Sequence, residues 1–212
     1  METTNKSRNI INFLVRTAIF GTMSIILYVV PIFQFKLPIF LPFLEIHLDE
    51  VPAFIAGFAY GPFCGAAVLL LRTIVKLPMT SSLCVGELAD LIYSLAFILP
   101  ATFIYKKMRN WKGVSLGLTI GTLSQLIISM IIGIYLIFPF YCNIYGISTE
   151  QLLSMCKGLN PLITDVEWTM GLFMILPFNA IKDAIVVLLT LVLYKSLSKL
   201  INKLDANKKL SK

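Results

Sequence analysis

Charge is scarce in this chain. Only 14% of its 212 residues are Asp, Glu, Lys or Arg, roughly half the share of an ordinary soluble domain. Histidine is nearly absent, with His47 alone. The four cysteines, Cys64, Cys84, Cys142 and Cys156, form no CxxC pair. A zinc site therefore lacks its ligands, and the cysteines read as apolar fillers. The sequence has no GxxxxGK[ST] phosphate loop, so the chain is not its own ATPase by that route. It also has no HExxH and no nucleophile elbow, so no catalytic constellation, metal site or cofactor is expected. No internal repeat is evident, which argues against an inverted-repeat secondary transporter. What is abundant is apolar: 58% hydrophobic residues and a mean hydropathy of +0.85 place the chain in a membrane.

A hydrocarbon core of about 30 Å needs roughly 20 apolar residues at about 1.5 Å each. Charge-free runs and their punctuation give six spans at about 11–30, 51–60, 63–77, 86–105, 114–138 and 168–194. Tyr60-Gly61-Pro62 splits the second from the third as a tight turn, and Pro31 and Pro139 close the first and fifth. Pro100 and Pro177 bend the fourth and sixth. The outer loops are then 31–50, 78–85 and 139–167. The expectation is an all-α integral membrane protein forming one membrane domain over residues 1–212. Its N-terminal apolar run reads as a retained first span, because no small-residue cleavage site follows it.

The net charge of +7 could suggest nucleic acid, but 12 of the 18 basic residues fall on one side of these spans. They are Lys6, Arg8, Lys106, Lys107, Arg109, Lys112, Lys195, Lys199, Lys203, Lys208, Lys209 and Lys212. The positive-inside rule therefore places both termini in the cytoplasm. The charge reads as topology within a lipid bilayer, and no nucleic-acid partner is needed.

Ionisable residues at membrane depth are costly and mark functional positions. Lys182 lies near the middle of the sixth span, with Asn179 three residues earlier on the same helical face and Asp183 next to it. Glu87 and Asp90 are three apart at the outer end of the fourth span, preceded by Thr80. Arg72 and Lys76 are four apart near the outer end of the third, where snorkelling would suffice for them. Three inward-facing pairs would form a mixed-charge pocket for a small hydrogen-bonding ligand. The loop from Pro31 to Glu50 alternates Pro38 and Pro42 with Phe33, Phe35, Phe40 and Phe43. It is stiff and aromatic enough to cap such a pocket, and His47 within it reads as a surface residue. Small residues recur at helix-packing spacing in the first span, in Thr17-x-x-x-Gly21 and Ala18-x-x-x-Thr22.

Along nearly its whole length the sequence resembles the substrate-binding S components of energy-coupling factor (ECF) vitamin importers, most closely the riboflavin-type members. The resemblance rests on several pieces in order: Pro42-Phe43-Leu44 through Asp49-Glu50-Val51-Pro52-Ala53, Gly57-Phe58-Ala59-Tyr60-Gly61-Pro62, Gly86-Glu87-Leu88-Ala89-Asp90, Leu99-Pro100-Ala101, and Pro177-Phe178-Asn179 with Lys182. It implies a six-helix bundle in the bacterial plasma membrane. Such a bundle takes a vitamin from outside and docks on a transmembrane coupling subunit driven by two ATPase subunits. By the same resemblance Ala18 and Thr22 are the docking positions. Asn179 and Lys182 contact the flavin ring, and Glu87, Asp90, Leu44, Thr80 and Tyr135 complete the substrate-binding set. Two departures stand out. Gly133-Ile134-Tyr135 replaces an Asn-Tyr-Phe of the riboflavin binders, and Asp90 stands where an asparagine is typical, so riboflavin or a related ring compound is expected. The alternative from another class is a self-sufficient proton- or ion-coupled transporter relaying through Asp90, Lys182 and Asp183.

Overall fold

The computed structural model describes the backbone of residues 2–41, 44–80 and 83–210, and side chains over 7–41, 44–80 and 83–196. Pro42 and Phe43 of the capping loop, Ser81 and Ser82, and the side chains of Lys6, Lys199, Lys203, Lys208, Lys209 and Lys212 lie outside that description. Nine helices are seen among the described residues: α1 Glu2–Val29, α2 Glu50–Tyr60, α3 Pro62–Lys76, α4 Val85–Met108, α5 Trp111–Ile132, α6 Phe138–Tyr145, α7 Thr149–Leu159, the one-turn α8 Trp168–Met170 and α9 Leu176–Leu210. A two-residue hairpin pairs β1 Phe35–Lys36 with β2 Glu45–Ile46 in antiparallel register.

Five stretches are long and apolar enough to cross a bilayer: Ser7–Val29, Pro62–Met79, Val85–Met108, Trp111–Tyr145 and Trp168–Ser196. The expected second span is the exception. With 11 residues, α2 is about 16 Å long, half a hydrocarbon core. Its shortness has a consequence: the chain from Pro31 to Asp49 must reach well into the bundle to start it, which buries Asp49 and Glu50 completely. Gly61 makes the turn into α3 at φ +108, a region that costs any residue with a Cβ.

The expected fifth span corrects one boundary, and the sixth shows what its internal proline does. Pro139 does not end its helix. A π-helical turn at Gly133–Ile137 precedes it, and the helix runs on to Tyr145. Pro177 follows an equivalent π turn at Gly171–Ile175. Proline lacks an N–H and crowds the carbonyl four residues back, and widening the preceding turn by one residue relieves both problems. The carbonyl of Phe173, which Pro177 cannot serve, takes a hydrogen bond from Asn160 Nδ2 at 3.5 Å. The two π turns pack on each other through glycines: a Cβ at Gly133 would lie 2.8 Å from Ile175, and one at Gly171 2.7 Å from Ile134. Pro100 sits inside an uninterrupted α4. The expected loop 139–167 is also partly helical, with α7 started by a Ser148–Gln151 capping box.

Two apolar clusters hold the bundle. One, around Phe54, Phe58, Phe97, Tyr105 and Tyr194, joins α2, α4 and α9. The other, around Phe40, Phe138, Met174 and Phe178, joins the loop before α2 to α6 and α9. In α1, Thr17 and Gly21 face inward, with Gly21 against Leu71 of α3. Ala18 and Thr22 are exposed on the opposite face.

Candidate functional site

Beside the second cluster, whose Phe138, Leu152, Ile175 and Phe178 help to line it, lies a cavity of about 640 Å³, within the usual range for small-molecule sites of about 300–1,000 Å³. Its walls come from the end of α1, the hairpin, the end of α3, the start of α4, α6 with its π turn, α7 and the start of α9. The contributions of α6 and the π turn before it follow helical spacing: Gly133, Ile137, Phe138, Tyr141 and Tyr145 share one face. Tyr141 and Tyr145 stack with centroids 5.6 Å apart and planes 10° from parallel. With Tyr93 and Phe178 they give the cavity an aromatic lining.

Its polar side is built on Lys182. The ammonium is 2.9 Å from Asp90 Oδ1 and 3.1 Å from Glu50 Oε1. Asp90 Oδ2 lies 2.9 Å from Arg72 Nη2, and that guanidinium also pairs with Asp49. Arg72 Nη2 donates to Ser94 Oγ at 2.7 Å, which in turn donates to Glu50 Oε1 at 2.6 Å. Arg72 lies over the Tyr28 ring at 4.5 Å, and Ser24 on α1 donates to the Asp49 carbonyl at 2.7 Å. Five helices thus meet in one closed circuit of charge. So largely withdrawn from solvent, that circuit is stable because each cation has carboxylate partners.

Asn179, Lys182, Glu87, Asp90 and Leu44 all line the cavity. Asn179 spends one N–H on the Ile175 carbonyl at 2.9 Å, which leaves its amide oxygen to face a ligand. Thr80 is one step back, donating to Glu87 Oε2 at 2.7 Å. Tyr135 is not brought to the cavity. It is 64% exposed and borders a separate shallow groove with Trp168, because it is two residues from Gly133 and so on the opposite side of the helix. Asp183 likewise turns away from Lys182 and faces Gln125 of α5.

Three features were not legible in the sequence. Arg72 is fully buried rather than snorkelling, although a basic residue flanked by leucines reads the same either way. Asp49 and Glu50 looked like loop acids, and only the shortness of α2 hinted that they lie inside. His47, taken for a surface residue, is buried in the cavity wall. Burial pushes its imidazole down to about 4, so it is neutral at physiological pH.

Comparison with known proteins agrees with this geometry. A family model described as the substrate-specific component of ECF transporters matches residues 12–194. The riboflavin transporter FmnP of Bacillus subtilis is 32% identical over 174 residues, 81% of this chain and 85% of that protein. The riboflavin transporter RibU of Staphylococcus aureus is 26% identical over 182 residues, 86% and 89% of the two chains. A solved S component of a bacterial ECF transporter superposes with a TM-score of 0.69 at 23% identity, covering 90% of this chain and 97% of that one.

Proposed function

Because the chain belongs to the substrate-specific components of ECF transporters, we propose that it is the riboflavin-binding membrane subunit of an ATP-driven importer. The chain is a transport subunit and not an enzyme. One observation carries the ligand reading. A cavity of about 640 Å³ combines aromatic walls with a polar side on which Asn179 and the Lys182–Asp90 pair stand together on α9 and α4. A flat tricyclic ring fills the aromatic part, and its heteroatom edge meets Asn179 and Lys182. Two of the three N–H groups of Lys182 serve Asp90 and Glu50, and the third is available to a ring carbonyl.

In this reading six segments cross the membrane, counting α2 and α3 as a bent pair, and both termini face the cytoplasm. The cavity then opens outward, with the loop from Pro38 to Glu50 and its hairpin as the cap. The exposed Ala18–Thr22 face of α1 supplies close-packing small residues for a coupling subunit, and two ATPase subunits drive release inward. The test is uptake of labelled riboflavin into vesicles. Vesicles holding this chain alone should bind but not accumulate it, and adding the coupling subunit with its ATPases and ATP should start accumulation. Robust accumulation by the chain alone would overturn the reading in favour of an ion-coupled transporter.

A further inference from the structure

Asp183 lies next to the charge circuit without joining it. Asp49, Glu50 and Asp183 are wholly buried, and with Asp90 they set four carboxyl groups against two cations, Arg72 and Lys182. Asp49 pairs with Arg72, Glu50 with Lys182, and Asp90 with both. Asp183 has no ion-pair partner among the described residues, because its chain neighbour Lys182 turns its ammonium to Asp90 and Glu50 instead. The charged groups around Asp183 are Glu50 of α2, Lys182 of α9 itself and Asp90 of α4.

From α5, Gln125 faces Asp183. It too is wholly buried. Both polar atoms of its amide, like both oxygens of Asp183, are without a well-formed hydrogen bond among the described residues. Four polar atoms thus meet unsatisfied between two apolar helices.

The two side chains are complementary only when the acid is neutral. A carboxylate accepts and cannot donate. It could serve the amide N–H, but it would leave the amide oxygen unbonded beside a negative charge. A neutral carboxyl presents one donor and one acceptor side by side, and the amide presents the same two in reverse. One proton therefore satisfies all four atoms and removes one surplus negative charge, and burial penalises both the unmade bond and the unpaired charge.

We propose that Asp183 is a proton site: held as the neutral acid, it donates its O–H to Gln125 Oε1 and accepts from Gln125 Nε2, joining α9 to α5. The pair leaves the Lys182 ammonium to Asp90, Glu50 and the cavity, and it holds whichever ligand the cavity takes.

Infrared spectroscopy of the full chain in detergent at neutral pH reads the proton through the carbonyl stretch of a protonated carboxylic acid. Asp183→Asn keeps a donor and an acceptor for Gln125. It should fold, melt within a few degrees of wild type and lack that band in the difference spectrum. Gln125→Met should keep the band but move it to higher frequency, that of an acid carbonyl without its hydrogen bond. Identical acid bands in wild type and Asp183→Asn, or an Asn variant that does not fold, would overturn the proton site. A Gln125→Met band at the wild-type frequency would overturn the pairing with α5.

Discussion

Replacing Lys182 with alanine is expected to weaken riboflavin binding about 100-fold or more and also to lower the melting temperature of the free protein. The first effect is loss of a charged hydrogen bond to the ligand, worth about 1.5–3 kcal/mol, together with loss of the group that fixes its orientation. The second follows from what Lys182 leaves behind. Asp90 Oδ1 and Glu50 Oε1, at 2.9 and 3.1 Å from its ammonium, would lose their common cation at a largely buried position. Breaking a buried ion pair by deleting one partner costs about 3–5 kcal/mol. Fluorescence titration and a thermal melt, made on the same preparation, separate the two effects. Wild-type affinity in the variant would remove Lys182 from the site, and an unchanged melt would show that Asp90 and Glu50 do not depend on it.

Arg72→Met is expected to be more damaging to the fold than any change in the cavity wall. Arg72 is completely buried and is the cation shared by Asp49 of the loop and Asp90 of α4, with Ser94 of α4 as a third partner. It is also stacked on Tyr28 of α1. Methionine fills a similar volume but leaves Asp49 without a cation in a membrane interior and Asp90 with Lys182 alone, so the destabilisation should reach about 3–5 kcal/mol or prevent recovery of folded protein. Arg72→Lys keeps the charge but not the planar fork that reaches both carboxylates at once, and should fall between. A monodisperse Met variant melting within a few degrees of wild type would contradict the closed circuit.

The contrast between these two residues shows how much of the site the sequence carried. Lys182 stood out at once, because a lysine in the middle of a long apolar run has no cheap explanation. Arg72 has one, since a long side chain near a helix end reaches water by snorkelling. The two situations are identical in one dimension and differ only in what the neighbouring loop does. That loop was the least legible part of the chain. Its proline and phenylalanine pattern suggested a cap, but its descent into the bundle follows from α2 being about half a membrane long, a fact of length rather than composition. The helix boundary at Pro139 was misplaced for a different reason: a π turn lets proline continue a helix, and hydropathy does not register it. Tyr135 shows the cost of transferring a position by resemblance without its phase. Gly133 reaches the cavity, and a residue two further on cannot share its face. Asn179, Lys182, Glu87 and Asp90 line one cavity, as helical spacing and the cost of charge in lipid suggest they should share a face turned inward.

The absorbance spectrum of the protein purified in detergent from riboflavin-fed cells tests the central claim most directly. The flavin bands should co-purify at about one flavin per chain, and the Lys182→Ala variant prepared identically should be colourless. A colourless wild-type protein that also fails to quench added riboflavin would contradict the assignment of this cavity to riboflavin.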